Sequence, residues 1–313
     1  MVVATCDRWD HLGQLLAALD AQEGAPPMEV IVIDDASVDT WLPTARAYPL
    51  TVLRQDTRRG PAAARNRGWR AARAPIVCFT DDDCRPEPGW LAALMTAMAD
   101  TAAEVVQGRT IPDPDQSANR GPFSRTMNVP HEQGFYETCN IAYRRVLLQR
   151  LGGFDETFRY PYGEDTDLAW RSIETGARVT FADGAIVRHD VWPSDYPAHL
   201  RDMRRREGLV LLYRKHPNLR RHFGRRVFFR EVHPPTVATV AALAILAARP
   251  HRPERWAAAA ATALWYAWVC HLVRPNPARR WQWAVVVPLA FVADSYEVAV
   301  MARASLKYRT LLL

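Results

Sequence analysis

Short apolar runs alternate with helical patterns through the first third of the chain. Between residues 11 and 19, leucines recur at positions 12, 15, 16 and 19, which is the spacing of one helix face. We predict strands at residues 2–4, 29–33, 50–53 and 76–79, and helices at residues 11–19 and 62–72. Strands and helices that alternate in this way predict an α/β fold with a mostly parallel sheet, covered by helices on both faces.

Carboxylates follow two of these strands. Asp34 and Asp35 come after the second strand, and Asp81, Asp82 and Asp83 come after the fourth. The carboxyl ends of parallel strands share one edge of the sheet, where open α/β sheets bind their ligands. Three adjacent carboxylates repel one another, and a hard divalent cation would neutralise them. We therefore expect a Mg²⁺ or Mn²⁺ site at this edge, with a solvated acidic turn as the alternative.

A second acidic pair, Glu164 and Asp165, follows Gly163 at the start of a predicted helix. A carboxylate in this position can act as a general base towards a substrate hydroxyl. The alternative is a pair of helix N-terminal acids that the helix dipole favours. Arg171, two turns further on, serves either substrate or structure.

Two common nucleotide-binding loops are missing from the sequence. No G-x-G-x-x-G follows the first strand, so a dinucleotide-binding fold is a weak match, and no Gly-rich loop ends in Lys-Ser/Thr, which excludes a P-loop. A nucleotidyltransferase also uses metal-binding aspartates on an α/β sheet and stays open as an alternative. It would usually carry a Gly-rich loop with a basic residue near the first strand.

Seven short segments together resemble a known enzyme family. They are ATCDR (4–8), VIDDASVD (32–39), GPAAARNRG (60–68), FTDDDCRPEPGWL (79–91), TCNIAYRR (138–145), LGGFDETF (151–158) and GEDTDLAWR (163–171). In this order the chain resembles the inverting family 2 glycosyltransferases, which have the GT-A fold. The resemblance implies transfer of a sugar from a nucleotide diphosphate sugar to an acceptor hydroxyl. Two positions depart from the family's pattern: Asp7 stands where Asn is more usual, and Ala36 where Gly is.

The resemblance also implies roles for individual residues on the donor side. It implies a metal site formed by Asp81, Asp83 and His189, and a structural histidine is the alternative for His189. Donor binding is implied for Thr5, Asp7, Asp34, Asp35, Arg65 and Asp82. Asp34 or Asp35 would contact the base or the ribose, and Arg65 the nucleotide or its diphosphate. The alternative for Arg65 is a charge on a helix surface.

On the acceptor side, the resemblance implies Asp165 as the catalytic base, with Glu164 beside it. Asn140 would contact a sugar, and Arg171 is included as a substrate-binding candidate. Inversion needs a single displacement, in which one carboxylate deprotonates the acceptor hydroxyl as it attacks the anomeric carbon.

Cysteine usage favours a reducing compartment. The chain has 313 residues, and its five cysteines are scattered without metal-type spacing. No secretory signal precedes the first strand, so we expect reduced thiols and a cytoplasmic catalytic domain.

The C-terminal part of the chain is first basic and then apolar. Residues 201–230 hold eleven Lys or Arg against two acids, and no aromatic platform or recognition motif accompanies them, so we expect no nucleic-acid partner. Apolar segments follow at residues 236–248, 256–273 and 281–293, of which only the second reaches the seventeen to twenty-five residues of a spanning helix. Trp256, Trp281 and Trp283 stand at segment edges, as interfacial aromatics do. The alternative to membrane association is a soluble helical subdomain.

These patterns predict a GT-A catalytic domain at residues 1–215, a basic hinge at 216–235 and a hydrophobic helical region at 236–313. The predicted function is metal-dependent, inverting sugar transfer from a nucleotide diphosphate sugar to a lipid-linked or cell-envelope glycan. The protein would act at the cytoplasmic face of the cell membrane. A nucleotidyltransferase and a catalytically inactive membrane scaffold are the alternatives.

Overall fold

The computed structural model describes residues 1–40, 44–100, 102–158, 160–193, 195–221, 227–274 and 282–313. Trp281, which the sequence places at a segment edge, lies outside these residues, as do positions 222–226 of the basic run. The chain forms two compact units. Unit 1 comprises Met1–Ser117 and Thr126–Val191, and unit 2 comprises Ala118–Arg125 and Trp192–Leu313. The division at residue 191 differs from the predicted boundaries at 215 and 236.

Unit 1 is built on a mixed sheet. Its strands are β1 Val2–Thr5, β2 Val30–Asp34, β3 Leu50–Arg54, β4 Ile76–Asp81, β5 Cys84–Pro86, β6 Val105–Pro112, β7 Ile141–Arg144 and β8 Val179–His189. They lie in the order β3-β2-β1-β4-β7-β6-β8-β5. Among the described residues, β7 runs antiparallel to both of its neighbours and β5 antiparallel to β8, while the remaining pairs are parallel. The mostly parallel sheet that the sequence predicts is therefore confirmed.

Helices cover both faces of this sheet. They are α1 Trp9–Asp20, α2 Pro61–Ala71, α3 Trp90–Asp100, α4 Arg145–Leu151 and α5 Glu164–Glu174. The buried leucines of α1 and the buried side chains of α3 pack with Val3, Val30 and Val32. Neighbouring strand positions point to the opposite face, and there α2 lies so close that a Cβ on Gly68 would come within 2.3 Å of Val2. Helices on both faces leave the strand ends as the open edge for a site.

Unit 2 is helical. It contains α6 Tyr196–Met203, α7 Glu207–Lys215, α8 His233–Ala248, α9 Pro253–Val273 and α10 Trp283–Tyr308. By length and composition, α9 and α10 could each cross a membrane. For α9 this agrees with the prediction. The third apolar segment is only thirteen residues long in sequence, but α10 continues it by fifteen residues, to Tyr308. Because α6 and α7 pack on α10, they belong to this unit.

Candidate active site

The aspartates at the end of β4 are held by two arginines and a threonine hydroxyl. Asp81, the last residue of the strand, accepts a hydrogen bond from Arg65 at 2.8 Å. Asp82 accepts one from the Thr5 hydroxyl at 2.7 Å and one from the Arg8 guanidinium at 3.1 Å. Arg8 also reaches Asp83, at 3.2 Å. The mutual repulsion expected within the triplet is thus relieved by protein cations and by the hydroxyl at the end of β1.

Arg65 connects the strand end to the start of α5. Its Nη2 donates to Asp81, and its Nη1 donates to Oε1 of Glu164 at 2.9 Å. The residue is buried, with 6% of its surface exposed, so the alternative of a surface helix charge is wrong. Its two acidic partners raise its pKa against the opposing effect of burial, so it stays charged. One rigid guanidinium therefore fixes the distance between the two acidic segments.

The two acids at the start of α5 have different surroundings. Gly163 precedes them with φ at +101°, a conformation that favours glycine. Glu164 is buried and tied to Arg65, and burial together with the charge of Asp165 raises its pKa to about 8. Asp165 is half-buried, and its Oδ1 accepts the Thr166 amide at 2.8 Å. Burial raises the pKa of Asp165 as well. Of the two acids, Asp165 is the more exposed.

Asp83 and His189 form the second feature of the edge. His189 ends β8 and lies opposite Cys84 of β5 in register, and its Nε2 is 3.6 Å from Oδ1 of Asp83. Its Nδ1 lies 2.9 Å from the carbonyl of Asp190. A ring whose Nδ1–H donates to a carbonyl presents the Nε2 lone pair to a metal. The ligand atoms of Asp83, Cys84 and His189 lie within 4.8 Å of one another, so this group fits a divalent cation.

The grouping differs from the predicted metal site in one member. Asp83 and His189 come together as predicted, but Asp81 is not part of the group that the described residues form. Its carboxylate is 31% exposed and faces Arg65 instead. Cys84 is buried in the hydrophobic core, and burial raises the pKa of its thiol well above the usual range. A neutral thiol is a poor metal ligand, which leaves Asp83 and His189 as the pair to test.

The acids after β2 shape the neighbouring loops. Asp34 accepts the amide of Ser37 at 2.9 Å and pairs with Arg54 at 2.8 Å. Asp35 accepts the amides of Arg59 and Gly60, both at 2.8 Å. Both carboxylates are buried. Their contacts with described residues hold the loops on either side of the strand end. Their predicted contact with a nucleotide stays a prediction.

The two departures from the family's pattern have a backbone explanation. Asp7 and Ala36 both have positive φ, at +55° and +60°. Asn and Gly adopt this left-handed region at the least cost, which accounts for their usual presence there. Asp7 is also bonded to the facing loop, because its Oδ1 accepts the amide of Val38 at 2.6 Å.

The surroundings of Asn140 do not suit a sugar contact. Asn140 is 1% exposed, its Nδ2 donates to the carbonyls of Arg109 and Ala185 at 2.8 Å, and its Oδ1 accepts the Trp90 indole. With both ends of the amide occupied in the core, Asn140 joins β6 to β8 and does not face a sugar.

The described contacts of Arg171 are with the protein's own backbone and with Asp167. Its guanidinium donates to Asp167 at 2.8 Å and to the carbonyls of Leu151 and Gly153 at 3.0 and 2.7 Å. These bonds fasten α5 to the end of α4 and to the turn that follows it, which is a structural role; the predicted substrate contact of Arg171 stays a prediction.

Sequence reasoning missed two residues beside the site. Arg8 bridges Asp82 and Asp83, although it lies within the quoted ATCDR segment. Glu137 accepts a hydrogen bond from Gln107 at 3.0 Å, and burial, with a smaller effect from the Asp165 charge, raises its pKa to about 7. Its loop is fastened to α5, because Thr166 donates to the carbonyl of Phe135 at 2.6 Å. An acid directly before the TCN segment was the available signal for Glu137.

Comparison with known sequences decides the family. The profile described as "Glycosyl transferase family 2" matches residues 1–165, more than half of the chain. The chain belongs to this family. The matched residues contain both strand-end acidic groups and end at Asp165. The family 2 resemblance read from the seven segments is thereby confirmed.

Two curated relatives show how far the sequence likeness extends. A pre-mycofactocin glycosyltransferase of Mycobacterium tuberculosis is 33% identical over an alignment of 181 positions, which covers 52% of this chain and 37% of the relative. A validoxylamine A glucosyltransferase of Streptomyces hygroscopicus is 27% identical over an alignment of 263 positions, which covers 70% of this chain and 57% of the relative. The family 2 chain thus spans between about a third and three fifths of these relatives' own lengths.

A solved structure confirms the fold. A mannosyltransferase from Pyrobaculum calidifontis, in complex with GDP-Man and Mn²⁺, superposes with a TM-score of 0.55 at 20% identity. The superposition covers 97% of this chain and 85% of that one. The α/β architecture of the GT-A type is therefore the fold of this family 2 chain.

Proposed function

We propose that this protein transfers a sugar, with inversion, from a nucleoside diphosphate sugar to an acceptor hydroxyl. The observation that carries the proposal is the buried bridge made by Arg65. It joins Asp81, at the strand end that neighbours β1, to Glu164, at the start of α5. A donor at the strand ends and an acceptor at the helix start would then meet beside Asp165.

The donor half of the proposal rests on Asp83 and His189. One carboxylate and one imidazole nitrogen suit a divalent cation that accepts a nitrogen ligand, Mn²⁺ better than Mg²⁺. When bound, the cation would supply positive charge to the diphosphate leaving group. Thr5, Asp7, Asp34, Asp35, Arg65 and Asp82 line or brace the same edge and are proposed to form the donor site.

The acceptor half rests on Asp165. Its Oδ1 is held by the Thr166 amide, which orients Oδ2 for the proton of the acceptor hydroxyl. The pKa of Asp165 is raised towards neutral pH, and a general base is most effective when its pKa lies near the pH at which it works. Arg65 and Glu164 would position Asp165 rather than exchange protons with substrate, because both are buried.

The acceptor class follows from the apolar helices of unit 2. We propose a lipid-linked or cell-envelope glycan, presented at the cytoplasmic face of the membrane. The basic residues between positions 201 and 230 would favour an anionic lipid surface, at about 1 kcal/mol for each residue near it.

The full-length chain with a panel of nucleotide sugars and Mn²⁺ tests this proposal. Slow release of nucleoside diphosphate with a matching donor is expected, and NMR of the product from a suitable acceptor should show the inverted anomer. Release of pyrophosphate would identify a nucleotidyltransferase. An absence of turnover and of donor binding would identify an inactive scaffold. Either result would refute the proposed reaction.

A further inference from the structure

Helices α8 and α9, with the residues between them, form a hairpin whose surface is apolar on all sides. We call it the hairpin, and residues 249–255 its tip. Near its base, Tyr266, Val269 and Cys270 pack against α10 and Val232. Most of its other large side chains are exposed; these are Val240, Leu243, Ile245, Trp256, Leu264, Trp265, Trp268, Leu272 and Val273. Three consecutive residues of α9, 263–265, are exposed, and at 100° per residue they cannot share one face.

The exposure on all sides indicates what covers the hairpin. A protein partner or a second copy of this chain would cover one face, whereas hydrocarbon surrounds a helix completely. Residues 236–248 and 256–273 contain no Asp, Glu, Lys or Arg, while Arg249, Arg252 and Arg255 are grouped at the tip and Arg230 and Arg274 flank the base. Apolar stems between charged ends are the pattern of a membrane-crossing segment.

The lengths of the helices fit a crossing. The 18 uncharged residues of α9, 256–273, extend about 27 Å at 1.5 Å per residue, close to the hydrocarbon thickness of about 30 Å. The 16 residues of α8 extend about 24 Å, which a thinned or locally adjusted bilayer accommodates. The charged tip is costly to place inside hydrocarbon, so it must reach the far interface. There Trp256, whose indole donates to the carbonyl of Pro250 at 3.0 Å, stands at the interfacial level.

Helix α10 passes the same length test but carries two carboxylates in its middle. Asp294 and Glu297 are both fully buried. Asp294 pairs with Arg274 at 2.6 Å, and Glu297 pairs with Arg230 at 2.7 Å and Arg206 at 2.9 Å. These arginines come from the segments before α8 and after α9, at the base of the hairpin. The middle of α10 is thereby held at the base, and its apolar first half, residues 283–293, is too short to cross alone.

The end of the chain is tied to the same place. The carbonyl of Leu313 accepts the amide of Phe229 at 2.7 Å, and the amide of Leu313 donates to Val227 at 2.8 Å. Arg220 donates to the carbonyl of Leu311 at 2.7 Å. The C-terminus therefore lies beside the segment that leads into α8. If α10 crossed the membrane as well, these two segments would lie on opposite sides and could not be in contact.

We propose that the hairpin crosses the bilayer twice, with its tip on one side and both the C-terminus and unit 1 on the other. Unit 1 shares the side of the C-terminus because residues 192–232 contain no apolar run that could cross. The eleven Lys or Arg in residues 201–230, against three arginines at the tip, orient that side to the cytoplasm. This topology does not depend on the reaction proposed above, and the two are measured separately.

Cysteine labelling of the full-length chain tests the topology. In a Cys6→Ser background the four remaining native cysteines are buried. His251→Cys places a thiol at the tip, Leu306→Cys places one near the C-terminus at a position that is 83% exposed, and Val146→Cys places one on unit 1. A membrane-impermeant maleimide should label His251→Cys only in intact spheroplasts, and the other two only in inverted vesicles. All three should be labelled after detergent is added.

Three results would overturn the proposal. Labelling of the tip from the same side as Val146→Cys would show that the hairpin does not cross. Labelling of Leu306→Cys from the side of the tip would show that α10 crosses as well. Recovery of the protein as a dimer in the soluble fraction would show that a second copy covers the hairpin. Arg252→Cys repeats the tip measurement if His251→Cys fails to accumulate.

Discussion

Replacing Asp165 by Asn tests the assignment of the catalytic base. The substitution keeps the shape of the side chain, and Asn can still accept the Thr166 amide at Oδ1, the bond that measures 2.8 Å. The start of α5 should therefore keep its position, and donor affinity should not change. A general base contributes about a hundredfold to ten-thousandfold to turnover. At about 1.4 kcal/mol per tenfold, the barrier should rise by roughly 2.8–5.6 kcal/mol.

The neighbouring acid should not replace the lost base. Removing the Asp165 charge lowers the pKa of Glu164 from about 8, because that charge is one of the causes that raise it. Glu164 would then be ionised more often at neutral pH. Its side chain is 3% exposed and remains bonded to Arg65, so the extra ionisation gives it no access to a substrate hydroxyl.

The assay separates binding from chemistry. Titration calorimetry should give an unchanged donor affinity, and single-turnover kinetics should give the loss in rate. Asp183→Asn is the matched control, since its side chain is 72% exposed and pairs with Arg109, and it should keep full turnover. Near-normal turnover in the Asp165 variant would show that this residue is only a helix N-terminal charge.

Three further predictions address the metal pair, the packing of the sheet and the pH profile. Asp83→Asn should abolish Mn²⁺-dependent binding of a nucleoside diphosphate in calorimetry, and unchanged metal-dependent affinity would exclude this site. Gly68→Ala should lower the melting temperature, because its Cβ would lie 2.3 Å from a β1 side chain, whereas Gly13→Ala, with open space around it, should raise or maintain it. Burial raises the pKa of Glu137 to about 7, so this acid is mostly protonated on the acidic limb of kcat/KM; Glu137→Gln should therefore leave the limb in place below about pH 7, as should Glu132→Gln on the exposed surface, and a shift with the Glu137 variant alone would show that Glu137 is ionised beside the base.

The sheet and the family were predictable because both depend on local sequence. Each predicted strand lies within or next to an observed strand, since short apolar runs bounded by polar residues report burial on both faces. The positions of the aspartates followed from those strand ends. The family could be recognised from the order of the seven segments, because several short motifs in a fixed order are more specific than any one motif alone.

The partners of the side chains were not predictable. Asn140 and Arg171 carry polar groups that suit a substrate, and the sequence does not show that carbonyls of β6, β8 and the turn after α4 already occupy them. The same reason explains the missed role of Arg8, whose aspartate partners are more than seventy residues away in sequence. Long-range hydrogen bonds decide these roles, and local patterns do not record them.

The division of the chain at Val191 determines how the catalytic part can be expressed alone. A chain that stops at residue 215 keeps α6 and α7 but loses α10, so Arg206 is left without Glu297 and the buried side chains of α7 face water. A chain that stops at Val191 lacks α6 and α7 as well as α10, so no partner of these contacts is left exposed. In this shorter chain, only the stretch Ala118–Arg125 is separated from the rest of unit 2, to which it belongs. In the full chain, the backbone amides of Arg125 and Trp192 each donate to the carbonyl of the other residue. The catalytic fragment to express is residues 1–191, with a short polar loop in place of residues 118–125.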